Sequence, residues 1–333
     1  MNWRRYHLPV VLAILAIAPM PLFATGSDYW SRMLVLVVLF ATMATAVNIA
    51  FGHTDQLLLF SGGMAGLSSY IVILVADALG VSPWVTLLLG AFIVGAIGYG
   101  IVYFAARLNM DLIGLSILTF AIQLVIIQLA NGLIKVTGGV TGHSFEGLSI
   151  QPLLAPLGVN STVAMYYWLL LVFGVVLVVY RRLIHSNYGL AFEVIRQDDV
   201  AAESAGVDVL RYKSIAGFVS LFILGFVGPF YSQLQSFVTP SLFSFNAIDV
   251  FVLIMLILGG LRTMYGPLVG AALLVYIDQL LTSAQQYRTA VYGLLLVVLF
   301  FYFQRGIVPW VETLLTDRLR LGERFGLDRR SEG

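Results

Sequence analysis

Apolar runs long enough to cross a bilayer as helices, for which about 20 residues are needed, recur along almost the whole chain between short polar or turn-forming stretches. The pattern predicts about ten transmembrane helices. They run from Leu8 to Phe23, Met33 to Phe51, Leu57 to Ala76, Trp84 to Ala105, Leu112 to Leu133, Val163 to Tyr180, Ser214 to Gln233, Ala247 to Leu261, Tyr265 to Leu281 and Ala290 to Phe303. Ser61, Gly62, Gly63, Gly66, Ser68 and Ser69 interrupt the third run, which therefore reads as broken or re-entrant. The fold class is all-α, a polytopic integral membrane protein. Residues 1–306 read as a single transmembrane domain and 307–333 as a tail.

Composition excludes an ordinary soluble protein. Of 333 residues, 60% are hydrophobic and 11% charged, whereas a soluble domain carries about 25% charge. The chain has no Cys, so disulfides, thiolate metal sites and a Cys nucleophile are excluded together. The net charge of +1 conceals a segregated distribution. With the N-terminus in the cytoplasm, 15 of the 18 Lys and Arg residues fall inside, and only Arg32, Lys135 and Arg288 fall outside. Positive-inside bias therefore places both termini in the cytoplasm. Charges lie between apolar runs, and no nucleic-acid partner is expected. A cleaved signal peptide is the alternative for the first run, but the run follows two Arg, has span length and lacks a clear small-x-small cleavage site.

Two extramembrane segments stand out. The external loop, 135–161, opens K-V-T-G-G-V-T-G-H-S-F-E-G, a Gly spacing that predicts tight turns with positive φ. The cytoplasmic loop, 181–213, contains a stretch from Leu190 to Ala205 of helical composition, with Gly206 as its stop. Ala191, Val194, Ile195, Ala202 and Ala205 would share a narrow small-residue face, with Arg196, Asp198, Asp199 and Glu203 on the other sides. Such a helix either docks into a partner's groove or is a solvated connector. In the tail, Trp310, Leu314, Leu315, Leu319 and Phe325 alternate with Arg318, Arg320 and Arg324. That suits a headgroup-lying helix or a positive-inside anchor.

The chain lacks the chemistry to drive transport itself. It contains no G-x-x-x-x-G-K-[ST] loop for phosphates, and neither of its two Lys, Lys135 and Lys213, has that context. Its four His, at positions 7, 53, 143 and 185, show no metal-binding spacing. No catalytic residue, metal or directly bound cofactor is therefore expected, and any ATP would have to be hydrolysed by a partner. The best candidates for a polar route through the membrane are Asn48, Gln56, Ser61, Gly62, Gly63 and Gly66 with Ser116, Thr119 and Gln123 from the fifth run. For the glycines helix packing is the competing reading, whereas Asn48, Gln56 and Gln123 are costly in lipid and should face inward. Asp249 and Asp278 sit toward the outer ends of their runs, within reach of water.

The segment A-A-E-S-A-G-V-D-V at Ala201–Val209 resembles the E-A-A…G loop of ABC-importer permeases. Its context is similar to the permeases of LIV-type branched-chain amino acid importers, in particular the M-type subunit. Tyr188, Gly189, Ala191, Ile195, Arg196, Ala201, Ala202, Gly206, Val207, Tyr212 and Lys213 match that family's pattern around the loop. Gly259-Gly260-Leu261-Arg262-Thr263-Met264-Tyr265-Gly266-Pro267 resembles its G-G-x-G-T-x-(W/Y)-G-P turn. Further matches include Gly225, Gly228, Tyr231 and Pro240, the external Thr137-Gly138-Gly139 with Gly142, Arg107 with Asp111, and Gly52, Gln56, Gly66 and Tyr70. The resemblance covers Val47 to Gly306. Departures fall at Asp55, Leu58, Phe60 and Ser68, where Gly, Ser, Gly and Gly are usual, and at Ile122, where a carboxylate or amide is usual. They leave the permease reading intact and put the solute in question.

The resemblance implies an ABC-importer permease working by alternating access in a prokaryotic cytoplasmic membrane. It would pair with a sister permease, two cytoplasmic ATP-binding subunits and an extracytoplasmic solute-binding protein. Ile195, Arg196, Ala201, Ala202, Glu203 and Gly206 would form the ATPase-coupling helix. Branched-chain or other hydrophobic amino acids are the implied cargo, with amides or urea as alternatives. A stand-alone ion-coupled carrier or channel is the rival reading, and it requires an ionisable residue at mid-membrane.

Overall fold

The computed structural model describes residues 28–145, 147–148 and 160–281, with isolated positions between 11 and 17 and between 290 and 309. The first and tenth expected spans and the tail lie largely outside the described residues. Helix α1, Asp28–Val47, continues into a single π turn at Asn48–Gly52. Then come α2, Ser61–Leu79, α3, Pro83–Arg107, and α4, Leu112–Gly132. Short α5, Ile134–Thr137, leads through a 3₁₀ turn at Gly139–Thr141 to β1, His143–Ser144. Helix α6, Ser161–Ile184, is followed by α7, Asn187–Gln197, α8, Asp199–Ser204, and the long α9, Val209–Gln235. The described chain closes with β2, Phe237–Val238, a 3₁₀ turn at Pro240–Phe243, α10, Asp249–Gly259, and α11, Gly266–Leu280.

Among the described residues six helices, α1 with its π turn, α2, α3, α4, α6 and α9, are long and apolar enough to cross a membrane. The expected eighth and ninth spans are shorter than the sequence pattern suggests. Helices α10 and α11 have 11 and 15 residues, roughly 16 and 22 Å at 1.5 Å per residue, against a hydrocarbon core of about 30 Å. Hydropathy had counted the loop before Asp249 and the turn after Gly259 as helix, yet Gly260 and Arg262 take positive φ there and end α10. The glycines of the loop after α4 adopt the expected positive φ at Gly138, Gly139 and Gly142. This loop also pairs with the chain after α9, His143 facing Val238 and Ser144 facing Phe237 in antiparallel register.

Helix α9 is the axis of the bundle, packing most heavily on α3 and then on α2 and α1, while α1 also packs on α6 and α11. Lipid tails are as apolar as Leu, so membrane helices associate through close backbone approach rather than hydrophobic exclusion. The α9–α2 contact shows why Gly228 is required. A Cβ there would lie 2.7 Å from both the Cβ and the carbonyl oxygen of Ala65.

The next residue, Pro229, lies inside α9 and has no N–H to donate to the carbonyl four residues back. That carbonyl, Gly225, instead accepts a 2.5 Å hydrogen bond from Ser68 Oγ of α2. The departure at Ser68 is thus structural: its hydroxyl repairs the backbone interruption that Pro229 creates, in an interior without water. Removing it should orphan a buried carbonyl at a cost of about 1–3 kcal/mol. Ser68→Ala and Gly228→Val are both expected to lower the apparent melting temperature in detergent, the second through overpacking. Unchanged melting of Ser68→Ala would show that Gly225 finds another donor.

Candidate functional site

Between the π turn and α2 the chain is unwound, with Asp55 in the left-handed region at φ 51°. Helix α2 then starts at Ser61, and its first N–H groups have no partner within the helix. The structure supplies one from each side. The Asp249 carboxyl group accepts from Ser61 N at 2.6 Å and from Gly62 N at 3.2 Å. Gln123 Oε1 accepts from Gly63 N at 2.6 Å, while its Nε2 donates to the Phe243 carbonyl at 2.8 Å. Gln123 thereby joins two interruptions, the break before α2 and the non-helical stretch before α10, at the middle of the 21-residue α4.

Ser116, Thr119 and Gln123 follow an i, i+3, i+7 spacing that lines one helix face, and α4 turns that face onto the unwound segment. Thr119 Oγ1 accepts from Leu59 N at 3.0 Å, and Ser116 Oγ lies 3.3 Å from the Leu57 carbonyl. Ser61, Gly62, Gly63, Ser116, Thr119 and Gln123, six of the nine route candidates, therefore meet at one place, where their polar groups hold backbone rather than stand open. Gly66 lies one turn further along α2, under the Phe243 ring. An apolar cavity of about 330 Å³ opens beside the node, with Gly63, Gly66, Tyr70, Ile126, Ala130 and Phe243 among its walls.

Asn48 and Gln56 belong elsewhere. Asn48, fully buried in the π turn, donates to Tyr180 Oη at 3.2 Å and to the Thr263 carbonyl at 3.0 Å, and accepts from Arg262 N at 2.9 Å. It fixes the turn between α10 and α11, where Arg262, standing at a Gly of the family pattern, is held at φ 65°. His53, just past α1, lies 2.7 Å from the same Tyr180 hydroxyl. Burial and the neighbouring charges of Arg262 and Arg196 push its pKa down to about 4. Gln56 Nε2 donates to Thr54 Oγ1 at 2.7 Å and to the Lys213 carbonyl at 3.1 Å.

The helix expected over Leu190–Ala205 is two helices. Asp198 takes an extended conformation and its carboxylate accepts from Val200 N at 2.8 Å and Ala201 N at 3.0 Å, which ends α7 and starts α8. Gly206 does stop the segment. At φ 84° it closes a Schellman motif, with Gly206 N donating to the Glu203 carbonyl and Val207 N to the Ala202 carbonyl. The break also divides the anticipated small-residue face. Ala191, Ile195 and Ala202 are buried within the chain, Ile195 and Ala202 in a cluster with Val209 flanked by Val207 and Tyr212. Val194, Ala201, Glu203, Ala205 and Gly206 are exposed, Arg196 is half-buried, and Val200 is 73% exposed.

Sequence reasoning missed Asp249 as a site residue. Only 4% exposed, it faces the N-terminus of α2 rather than water. The signal was present, since a lone acid opening an apolar run in a membrane chain needs buried partners, but those partners are backbone N–H groups that no side-chain pattern displays.

Apolar helices of span length, with α2 and the shorter α10 each preceded by an unwound segment inside the bundle, define a polytopic α-helical membrane protein built like a transporter. The family described as "Branched-chain amino acid transport system / permease component" matches residues 29–302, and the chain belongs to it. The high-affinity branched-chain amino acid transport system permease protein LivM of Salmonella typhimurium is 25% identical over 343 aligned positions, covering 95% of this chain and 77% of the relative. LivM of Escherichia coli is 26% identical, covering 90% and 74%. A probable branched-chain amino acid transport permease protein LivH of Methanocaldococcus jannaschii is 24% identical, covering 77% and 79%. No solved structure matches the chain.

Two outcomes test this geometry. Asp249→Ala should leave the Ser61 and Gly62 N–H groups without an acceptor, costing about 1–3 kcal/mol for each, whereas Asp249→Asn keeps one acceptor oxygen. Thermal unfolding should rank wild type, Asn and Ala in falling order, and equal melting of the two variants would contradict the capping role. His53 binds its proton near pH 4 when folded and near 6.5 when unfolded. Its contribution to stability is therefore complete above about pH 6.5 and is lost as pH falls from there through 4. A His53→Gln variant should show a flatter stability profile across that window.

Proposed function

We propose that the chain is the permease subunit of an ATP-driven importer that carries branched-chain amino acids inward across a prokaryotic cytoplasmic membrane by alternating access. The observation that carries this reading is the family match over residues 29–302, reinforced by relatives whose names specify branched-chain amino acid transport permeases. The α7–α8 pair supports the docking half of the reading, being a short helical element standing between two spans with apolar residues unburied. Its outer face, Val194, Val200, Ala201 and Glu203, is the surface offered to an ATPase groove, while Ile195 and Ala202 anchor the element to its own chain. Arg196 lies in the last turn of α7 beside the Asp198 break, and Gly206 ends the element.

In this reading the chain works with a sister permease, two cytoplasmic ATP-binding subunits that use ATP and Mg²⁺, and an external solute-binding protein. No phosphate-binding loop occurs in its sequence, so hydrolysis falls to those partners. Both termini are cytoplasmic, an assignment that rests on the basic residues of the α6–α9 connection and tail. The solute passes the α2–α4 cavity, whose apolar walls suit an aliphatic side chain, while Asn48, Gln56, Ser116, Thr119 and Gln123 hold the interrupted backbones that must reshape as access alternates. A buried Asp249 is the one observation that favours an ion-coupled carrier, yet its oxygens already serve the α2 N–H groups.

Vesicles containing the whole complex purified from its native host should accumulate labelled leucine, isoleucine or valine only with ATP and binding protein supplied. Uptake that persists without ATP would overturn the importer reading in favour of the ion-coupled one. Val200→Glu should weaken co-purification of the ATPase subunits about tenfold, as a charge placed in a docking core does, with expression and melting unchanged.

A further inference from the structure

The structure assigns Lys213 a relay role: it couples displacement of the α7–α8 pair to the unwound segment before α2. This inference rests on the reading that α7–α8 receives force from a partner ATPase. Two kinds of contact tie α8 to α9. One is apolar, Ala202 packing with Val209, and such a contact tolerates sliding. The other is directional, an ion pair between Lys213 Nζ and Asp199 Oδ2 in which the Lys side chain is only 15% exposed. Asp199 opens α8 directly after the Asp198 break, so the pair grips the element where it bends.

The same residue reaches the other way through its backbone. The Lys213 carbonyl accepts from Gln56 Nε2 at 3.1 Å, and that nitrogen also donates to Thr54 Oγ1 at 2.7 Å. Gln56 is 2% exposed and lies five residues before Ser61, where the helix N-terminus is held by Asp249. Side chain and main chain of one residue therefore connect α8, α9 and, through Gln56, the break before α2. Half-burial strengthens the ion pair relative to a surface pair, because water screens it less. Moving α8 while this pair holds must move the first turn of α9 and, with it, the anchor of Gln56. A structural role alone would predict a less stable protein, whereas a relay predicts loss of coupling with stability retained.

The decisive quantity is solute transported per ATP hydrolysed in vesicles of the full complex. Lys213→Ala and Asp199→Asn should each lower that ratio at least about fivefold, the lower range of measured coupling effects, with ATPase co-purification and hydrolysis close to wild type. Lys213→Arg should retain the ratio, and exchanging the charges in an Asp199→Lys, Lys213→Asp double variant should restore much of it. A chain without Cys also permits direct observation. Spin labels at Ser204→Cys, exposed on α8 but off the docking face, and at Asp77→Cys should change separation on ATP addition in the wild-type background and not with Lys213→Ala. If wild-type uptake is ATP-driven and Lys213→Ala keeps the wild-type ratio, the relay is wrong and the importer reading stands. Loss of ATPase binding in the variant would equally overturn the relay, making Lys213 a docking residue. If wild-type uptake needs no ATP, the importer reading falls and the relay with it.

Discussion

A backbone N–H buried in an apolar interior must find an acceptor, and the architecture turns on how that demand is met at the start of α2. The chain interrupts its ladder within the bundle, exposing the amides of Ser61, Gly62 and Gly63, and Asp249 and Gln123 answer them from two other helices. Because Gln123 also bonds the Phe243 carbonyl, one side chain satisfies both interruptions. Three sequence-distant segments are thus fixed to one another by groups that have no alternative partner in lipid.

The same accounting explains features that look unrelated. Pro229 frees the Gly225 carbonyl inside α9, and Ser68 supplies the missing donor. Asn48, buried in a π turn, holds Arg262 in a left-handed conformation by accepting its N–H. In each case a polar side chain is attached to backbone where a helix has been interrupted. Interruption and repair go together because an unrepaired break costs several kcal/mol in hydrocarbon. A few hydrogen bonds define such a place, where a continuous helix would be defined by its own ladder.

The proposed coupling needs a connection from the surface of the chain to this place. The α7–α8 pair provides one face turned inward, through Ala191, Ile195 and Ala202, and one turned outward, through Val194 and Val200. Asp198 creates this division by capping α8 with its own carboxylate, which bends the element and rotates the two halves relative to each other. The inward face is joined to α9, the helix that packs on α1, α2 and α3. Under the proposed reading, force applied by a partner ATPase would meet the axis of the bundle at this point.

Local sequence determined the all-α membrane class, the positions of the long apolar helices, the positive-φ turns after α4 and the stop at Gly206, because each depends on local composition or on one residue's permitted dihedrals, but it put the break of the third span inside α2, which runs unbroken from Ser61 to Leu79. The motifs around Ala201 and Gly259 likewise carried the family. Tertiary structure alone decided that α10 and α11 are short, that Asp198 splits the expected coupling helix, and which polar residues meet. The physical reason is that the partners of Asp249, Gln123, Ser68 and Asn48 are main-chain groups. Every residue has those groups whatever its side chain, so only the path of the folded backbone determines where they become unpaired and which side chain reaches them.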